Sequence, residues 1–122
     1  MTQDDVVSCR ELNVVRITGE GDVGITADTG SVQGGYPLTH TFNVVATSAN
    51  AGDAVTLPAS FKAGTLVFIK NSAAANSVDV FPALGDDLGA GANTAAALAA
   101  GATICYIAMV ANTTWEAFFS GA

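Results

Sequence analysis

His40 is the single histidine of the chain, so any Ser–His or Cys–His nucleophile system must use it as the base. No GxSxG elbow accompanies it, and an apposition with Cys9 or Cys105 would be coincidence. A surface or hydrogen-bonded structural histidine is the expectation. Three acidic pairs, Asp4-Asp5, Glu20 with Asp22, and Asp86-Asp87, have the residue type for acid–base work or for holding a hard cation. The calcium-loop pattern of alternating ligands with a distant Glu is absent, which leaves turn-forming and solubilising roles for these acids. Gly19-Glu20-Gly21-Asp22-Val23-Gly24 fits GxGxxG, but it does not open a helix, and its acids would repel a pyrophosphate. Trp115, Tyr36 and Tyr106 are candidates for a sugar-stacking platform. The competing reading places Trp115 and Phe119 over the core from the last strand. No enzyme, cofactor or metal site is expected from these residues.

Any such group must be positioned by a chain of 122 residues, which is enough for one domain. Half of the residues are apolar, but Ala supplies 23 of them, so the core is less oily than the fraction suggests. Four Lys plus Arg stand against eleven Asp plus Glu, for a net charge of -7. That balance disfavours direct binding of nucleic acid or an anionic membrane, which take clustered cations. The N-terminal Met-Thr-Gln-Asp-Asp places acids where a secretory signal would place positive charge. Cys9 and Cys105 fit neither a disulfide scaffold nor a CxxC motif, and read as small apolar fillers in a reducing compartment. Residues 95–111 carry no charge, but they are mainly Ala, are broken by Gly101 and Thr103, and lack flanking cations. A buried strand accounts for the oily part, residues 104–110, better than a membrane span.

Val, Ile and Thr number 31, against nine Lys, Arg, Glu and Gln, a balance that favours strands over surface helices. Strands are expected at residues 41–46, 55–57, 65–70, 78–81, 103–110 and 115–119, with Gly-, Asn- and Asp-rich turns between them. Residues 65–70 and 103–110 are apolar on both faces, as in the middle of a two-layer core. Residues 78–81 are expected to pair with 65–70 as a hairpin, and residues 95–100, between Thr94 and Gly101, to form a capped helical turn. With no helix long enough for a βαβ crossover, the expected fold is all-β: an antiparallel β-sandwich, jelly-roll-like, over residues 25–122, preceded by an arm or edge strand at 1–24.

From Ile25 onward a recurring set of turn-and-strand signatures is present. It comprises Ile25-Thr26-Ala27, Pro37-Leu38-Thr39, Asn43-Val44-Val45, Gly52-Asp53-Ala54-Val55-Thr56-Leu57-Pro58, Val67-Phe68-Ile69-Lys70-Asn71, Val80-Phe81-Pro82-Ala83-Leu84-Gly85-Asp86, Leu98-Ala99-Ala100-Gly101 and Thr114-Trp115. Over about three-quarters of the chain, this set resembles a family of small tailed-phage virion proteins, found as head decoration or as fibre and appendage modules. The resemblance implies a β-rich structural protein of a double-stranded DNA phage, trimeric on the particle surface after assembly in the host cytoplasm. It carries over no catalytic residue. The absence of a collagen-like or coiled-coil stalk favours a free-standing decoration (cement) subunit partnered by the major capsid protein. The N-terminal residues Val6, Val7, Leu12, Val14 and Val15 are candidates for a β-augmenting capsid anchor, or else for the first strand of the same domain. The alternative is a tail or head-fibre component that binds host-surface glycan through Tyr36 and Trp115.

Overall fold

Runs of Val, Ile, Thr and Phe broken by Gly, Asn and Asp become short strands, because β-branched and aromatic side chains suit a pleated surface and the breakers suit turns. A computed structural model of the chain describes residues 19–60, 62–111 and 113–121. Nine strands lie within them: β1 (Gly21–Thr26), β2 (Tyr36–Pro37), β3 (Phe42–Thr47), β4 (Asp53–Thr56), β5 (Leu66–Asn71), β6 (Val78–Phe81), β7 (Ala96–Leu98), β8 (Thr103–Val110) and β9 (Thr114–Gly121). No helix occurs among the described residues. The strands form a five-stranded sheet, β1-β3-β5-β8-β9, and a four-stranded sheet, β2-β4-β6-β7. Both contribute to one core, with Ile25, Val45, Val67, Ile69, Tyr106, Ala108 and Trp115 on one side and Val55, Val78, Val80 and Leu98 on the other.

The all-β expectation holds, but the antiparallel, jelly-roll-like pairing is replaced by two mixed sheets. β1 with β3, β3 with β5, β2 with β4, and β4 with β6 all run parallel. Only β5–β8, β6–β7 and β8–β9 are antiparallel. From β1 to β6 successive strands alternate between the sheets. A parallel neighbour is therefore reached by way of a strand in the opposite sheet, which supplies the long crossover that a helix usually provides. The result is a flattened coil in which Gly21 lies beside Phe42, and Phe42 beside Phe68. In the other sheet Tyr36 lies beside Val55, and Val55 beside Val80. β1 runs across the expected boundary after residue 24.

Two local expectations are corrected for the same reason. The segment 78–81 does not pair with 65–70, because the intervening turn carries the chain across to the second sheet. Asn71 secures that turn: its Nδ2 donates to Asn76 O (2.9 Å) and Leu98 O (3.0 Å), and its Oδ1 accepts from Ala73 N (3.0 Å). Residues 95–100 do not form a helical turn but contribute β7, whose pairing with β6 buries Leu98. A single turn of helix gains too little to nucleate alone, whereas a strand in that place completes a ladder.

The outer faces of the two sheets differ. Residues 28–35 lie across the four-stranded sheet, where Gly34 N donates to Thr56 Oγ1 (3.1 Å) and Ser31 Oγ donates to the Asp79 carboxylate. Gly35 is pressed onto β4 so closely that a Cβ there would fall 2.8 Å from both Ala54 Cβ and Ala54 O. Pro37 closes the β2 edge. Leu38 N points inward to Thr56 O (2.9 Å), so the alternation leaves proline's missing N–H on the open side.

Candidate functional site

The residues with chemical potential are held apart by the fold and committed to structural bonds. His40 Nδ1 lies 3.1 Å from Thr39 Oγ1, and the His40 backbone carbonyl accepts from Asn43 Nδ2 (2.8 Å). Asp86 is buried, and its Oδ2 accepts from Ser60 N (3.1 Å) and Trp115 Nε1 (3.3 Å). Asp87 Oδ1 accepts from Gly89 N (2.6 Å) and Gly91 N (3.0 Å), which shapes the loop before β7. Asp22 accepts from the Tyr36 hydroxyl (3.0 Å) and Gly24 N (3.3 Å). The GxGxxG match runs into β1 rather than a helix. Among the described residues, no group of three or more His, Cys, Asp or Glu could hold a metal ion. Among the described residues there is no helix long and apolar enough to cross a membrane.

The two aromatic glycan candidates are not brought together as a platform. Trp115 is 0 % exposed, so its ring presents no surface to a sugar. Tyr36 is half-buried, and its bond to the Asp22 carboxylate, followed by burial, raises the hydroxyl's pKa. Tyr106 is a core residue whose hydroxyl is pushed up to about 12 by desolvation. Val6, Val7, Leu12, Val14 and Val15, with Cys9, Asp4 and Asp5, lie outside the described residues.

The distinctive surface is instead the outer face of the five-stranded sheet. Side chains alternate across a strand, so Val67 and Ile69 point into the core while Leu66, Phe68 and Lys70 point out. On β8, Tyr106 and Ala108 point in, and Cys105, Ile107 and Met109 point out. Register then aligns one outward residue per strand: Phe42 beside Phe68, Phe68 beside Cys105, and Cys105 beside Phe118. Phe42 and Phe68 stack at 5.1 Å between ring centroids and 18° between planes. Cys105, at 1 % exposure, is packed down within the row, and burial raises its thiol pKa. A shallow groove of about 280 Å³ runs over Phe42, Val44, Phe68, Lys70 and Cys105. Phe118 (38 %) and Met109 (50 %) extend the apolar surface to the β8–β9 side.

This face is largely apolar. It carries phenylalanine and aliphatic side chains that lose little rotamer freedom on contact, and each large apolar side chain removed from water contributes about 1.5–3 kcal/mol. The sequence signal for it was the double apolar face of residues 65–70 and 103–110, read as burial on both sides. The structure places Val67, Ile69, Tyr106 and Ala108 in the core and turns Phe68, Cys105 and Met109 to the other face of the sheet.

Asp53 supplies the clearest pH dependence. Its carboxylate accepts from Asn50 N (3.0 Å) and Gly30 N (3.2 Å). The bond from Asn50 leads in holding the carboxyl below its ordinary range, against the opposing effect of burial. A depressed folded-state pKa gives stability that is present above the unfolded value and lost as pH falls through the folded one. Thermal melts are therefore expected to show a midpoint that declines below about pH 4. Asp53→Asn should flatten that decline while lowering the midpoint at neutral pH, and an unchanged acid limb would refute the assignment.

No protein-family model matches the chain, and no curated protein matches it.

Proposed function

We propose that the chain is a structural protein of a tailed-phage particle: a decoration subunit that binds the outer surface of the head shell and stabilises it. It assembles as a homotrimer and contacts the major capsid protein. The observation that supports an assembling, non-catalytic role is the apolar row Phe42–Phe68–Cys105–Phe118 on the outer face of the five-stranded sheet. The phage setting rests on the turn-and-strand resemblance from Ile25 to Trp115. Many weak contacts made by repeated subunits tie a shell together more strongly than any one of them does, which is how a small domain stabilises a large particle. The scarcity of long, flexible charged side chains suits dense packing.

Quantifying this chain in purified particles tests the proposal. Hundreds of copies located on the head are expected, together with loss of head stability when the protein is omitted. A few copies on a tail or fibre would replace the decoration role with the host-contact role, and absence from particles would overturn both.

A further inference from the structure

We infer that the end of the fold carrying the turns before β5, after β6 and between β8 and β9 is the surface that meets the head shell. Leu84 and Val110 are its apolar anchors, and Lys62 is a charged contact beside them. The inference rests on the reading of the chain as a shell-bound subunit and adds the partner's chemistry: an apolar depression with a carboxylate at its rim. β5 and β8 run antiparallel, so the start of β5 lies beside the end of β8. Asp87 bridges to Thr114, which brings the turn after β6 to the same end. Each turn is closed by a backbone bond: Thr65 N to Lys62 O (3.3 Å), Asp86 N to Ala83 O (2.9 Å) and Thr113 N to Val110 O (3.2 Å). On these turns Leu84 is 84 % exposed and Val110 55 %, and Lys62 is exposed as well.

These turns are fixed before any partner arrives. Leu84 precedes Gly85, whose φ of 91° bends the chain, and Gly85 N is fastened to Asn93 Oδ1 (2.7 Å) and Asn93 N to Asp86 O (2.9 Å). The buried Asp86 carboxylate then ties the three turns together. It accepts from Ser60 N, two residues before Lys62, and from Trp115 Nε1, two residues after Thr113. Groups already held in place lose little freedom on contact, so an exposed Leu at such a tip suits a pocket on a partner. Charge selects that partner. Both carboxylates of the turn after β6, Asp86 and Asp87, are engaged with N–H groups. A second copy brought end to end therefore offers Lys62 no free carboxylate from that segment, and a two-fold contact of this kind does not build a trimer. A continuous anionic lipid surface is repelled by the net charge of -7, whereas one carboxylate at a pocket rim meets Lys62 locally. A homotrimer presents this end three times, so modest contacts with the shell reinforce one another.

Heads assembled without this chain, mixed with the purified full chain and sedimented, test the assignment. Wild type should bind saturably. Leu84→Asp and Val110→Asp should each weaken binding by about tenfold or more, with thermal midpoint and oligomeric state unchanged, since both side chains are exposed. Lys62→Glu should weaken it about threefold and flatten its dependence on salt. Val23→Asp, at an exposed position of β1, should bind as wild type does. Wild-type affinity in Leu84→Asp, or an equal loss in Val23→Asp, overturns the inference and leaves the decoration role standing. An oligomer that dissociates in Leu84→Asp would assign this end to contact between copies. Binding of wild type to phosphatidylcholine vesicles that Leu84→Asp abolishes would assign it to a lipid surface. Either result also overturns the inference. Wild-type protein that does not bind heads removes the decoration role, and this inference with it.

Discussion

Trp115→Ala is expected to lower the unfolding free energy by about 3–5 kcal/mol, the range for deleting a fully buried large aromatic. The ring lies in the shared core at 0 % exposure, so truncation leaves a cavity that both sheets border. The loss is not only apolar. Trp115 Nε1 donates to Asp86 Oδ2 (3.3 Å), and Trp115 N donates to Asp87 O (2.9 Å). The same Asp86 oxygen accepts from Ser60 N (3.1 Å), so one carboxylate ties the start of β9 to the segment after β4. Trp115→Phe separates the two contributions. It retains most of the volume but removes one donor from a buried carboxylate, for an expected cost of about 1–3 kcal/mol. Urea denaturation of the two variants reads both figures, and an alanine variant within 1 kcal/mol of wild type would be incompatible with this placement. A further consequence concerns function. Any loss of glycan or particle binding in Trp115→Ala must be compared with its loss of fold, because the ring is not a surface group.

The second large effect is expected at Asn71. Asn71→Leu approximates the side-chain volume but removes three hydrogen bonds, leaving Ala73 N, Asn76 O and Leu98 O without their partner. Asn71 is completely buried, so water does not replace those bonds. Unsatisfied buried groups cost about 1–3 kcal/mol each where the backbone cannot relax, and a total of about 3 kcal/mol is expected. Hydrogen exchange should localise the damage. Amides of residues 72–77 and of β7 should lose protection before those of β3, since Asn71 is the point where the end of β5 is tied to Leu98 in the other sheet. Uniform loss of protection, or a fully stable variant, would contradict this role. Asn71→Asp keeps the acceptor for Ala73 N and loses both donors, and should fall between wild type and the leucine variant at neutral pH.

The strands themselves were largely legible. Residues 41–46, 65–70 and 103–110 were expected as strands and correspond to β3, β5 and β8 within a residue or two. Their β-branched and aromatic composition acts locally, so no partner needs to be known to recognise them. Strand partners were not legible. Residues 65–70 and 78–81 look like a hairpin because a short turn separates them, yet Asn71 and Asn76 direct the chain to the opposite sheet. The Ala-rich stretch before Gly101 has the outline of a helical turn, but the open edge of β6 offers it a ladder.

The candidate face was half legible. Phe68 and Cys105 could be assigned to the side of their strands opposite Val67 and Tyr106 by alternation alone. That Phe42, Phe68, Cys105 and Phe118 form one row depends on register across four strands, two of them paired parallel through a coil. Asp86 shows the same division. Its position in a Gly-rich turn was plain, but its bond to Trp115 joins residues that are 29 apart.

The sequence by itself determined an all-β chain, the approximate place of most strands, and which residues share a face of each strand. These follow from side-chain shape and two-residue alternation, both local properties. Only the tertiary structure decided the mixed pairing, the Trp115–Asp86 tie, and the placing of residues 28–35 against the four-stranded sheet. Backbone donors and acceptors are the same at nearly every residue, so they do not specify which strand lies alongside. That choice is made by packing of the whole core and by the turns that send the chain from sheet to sheet, and it sets one oily face of β5 in the core and aligns the other with Phe42 and Cys105.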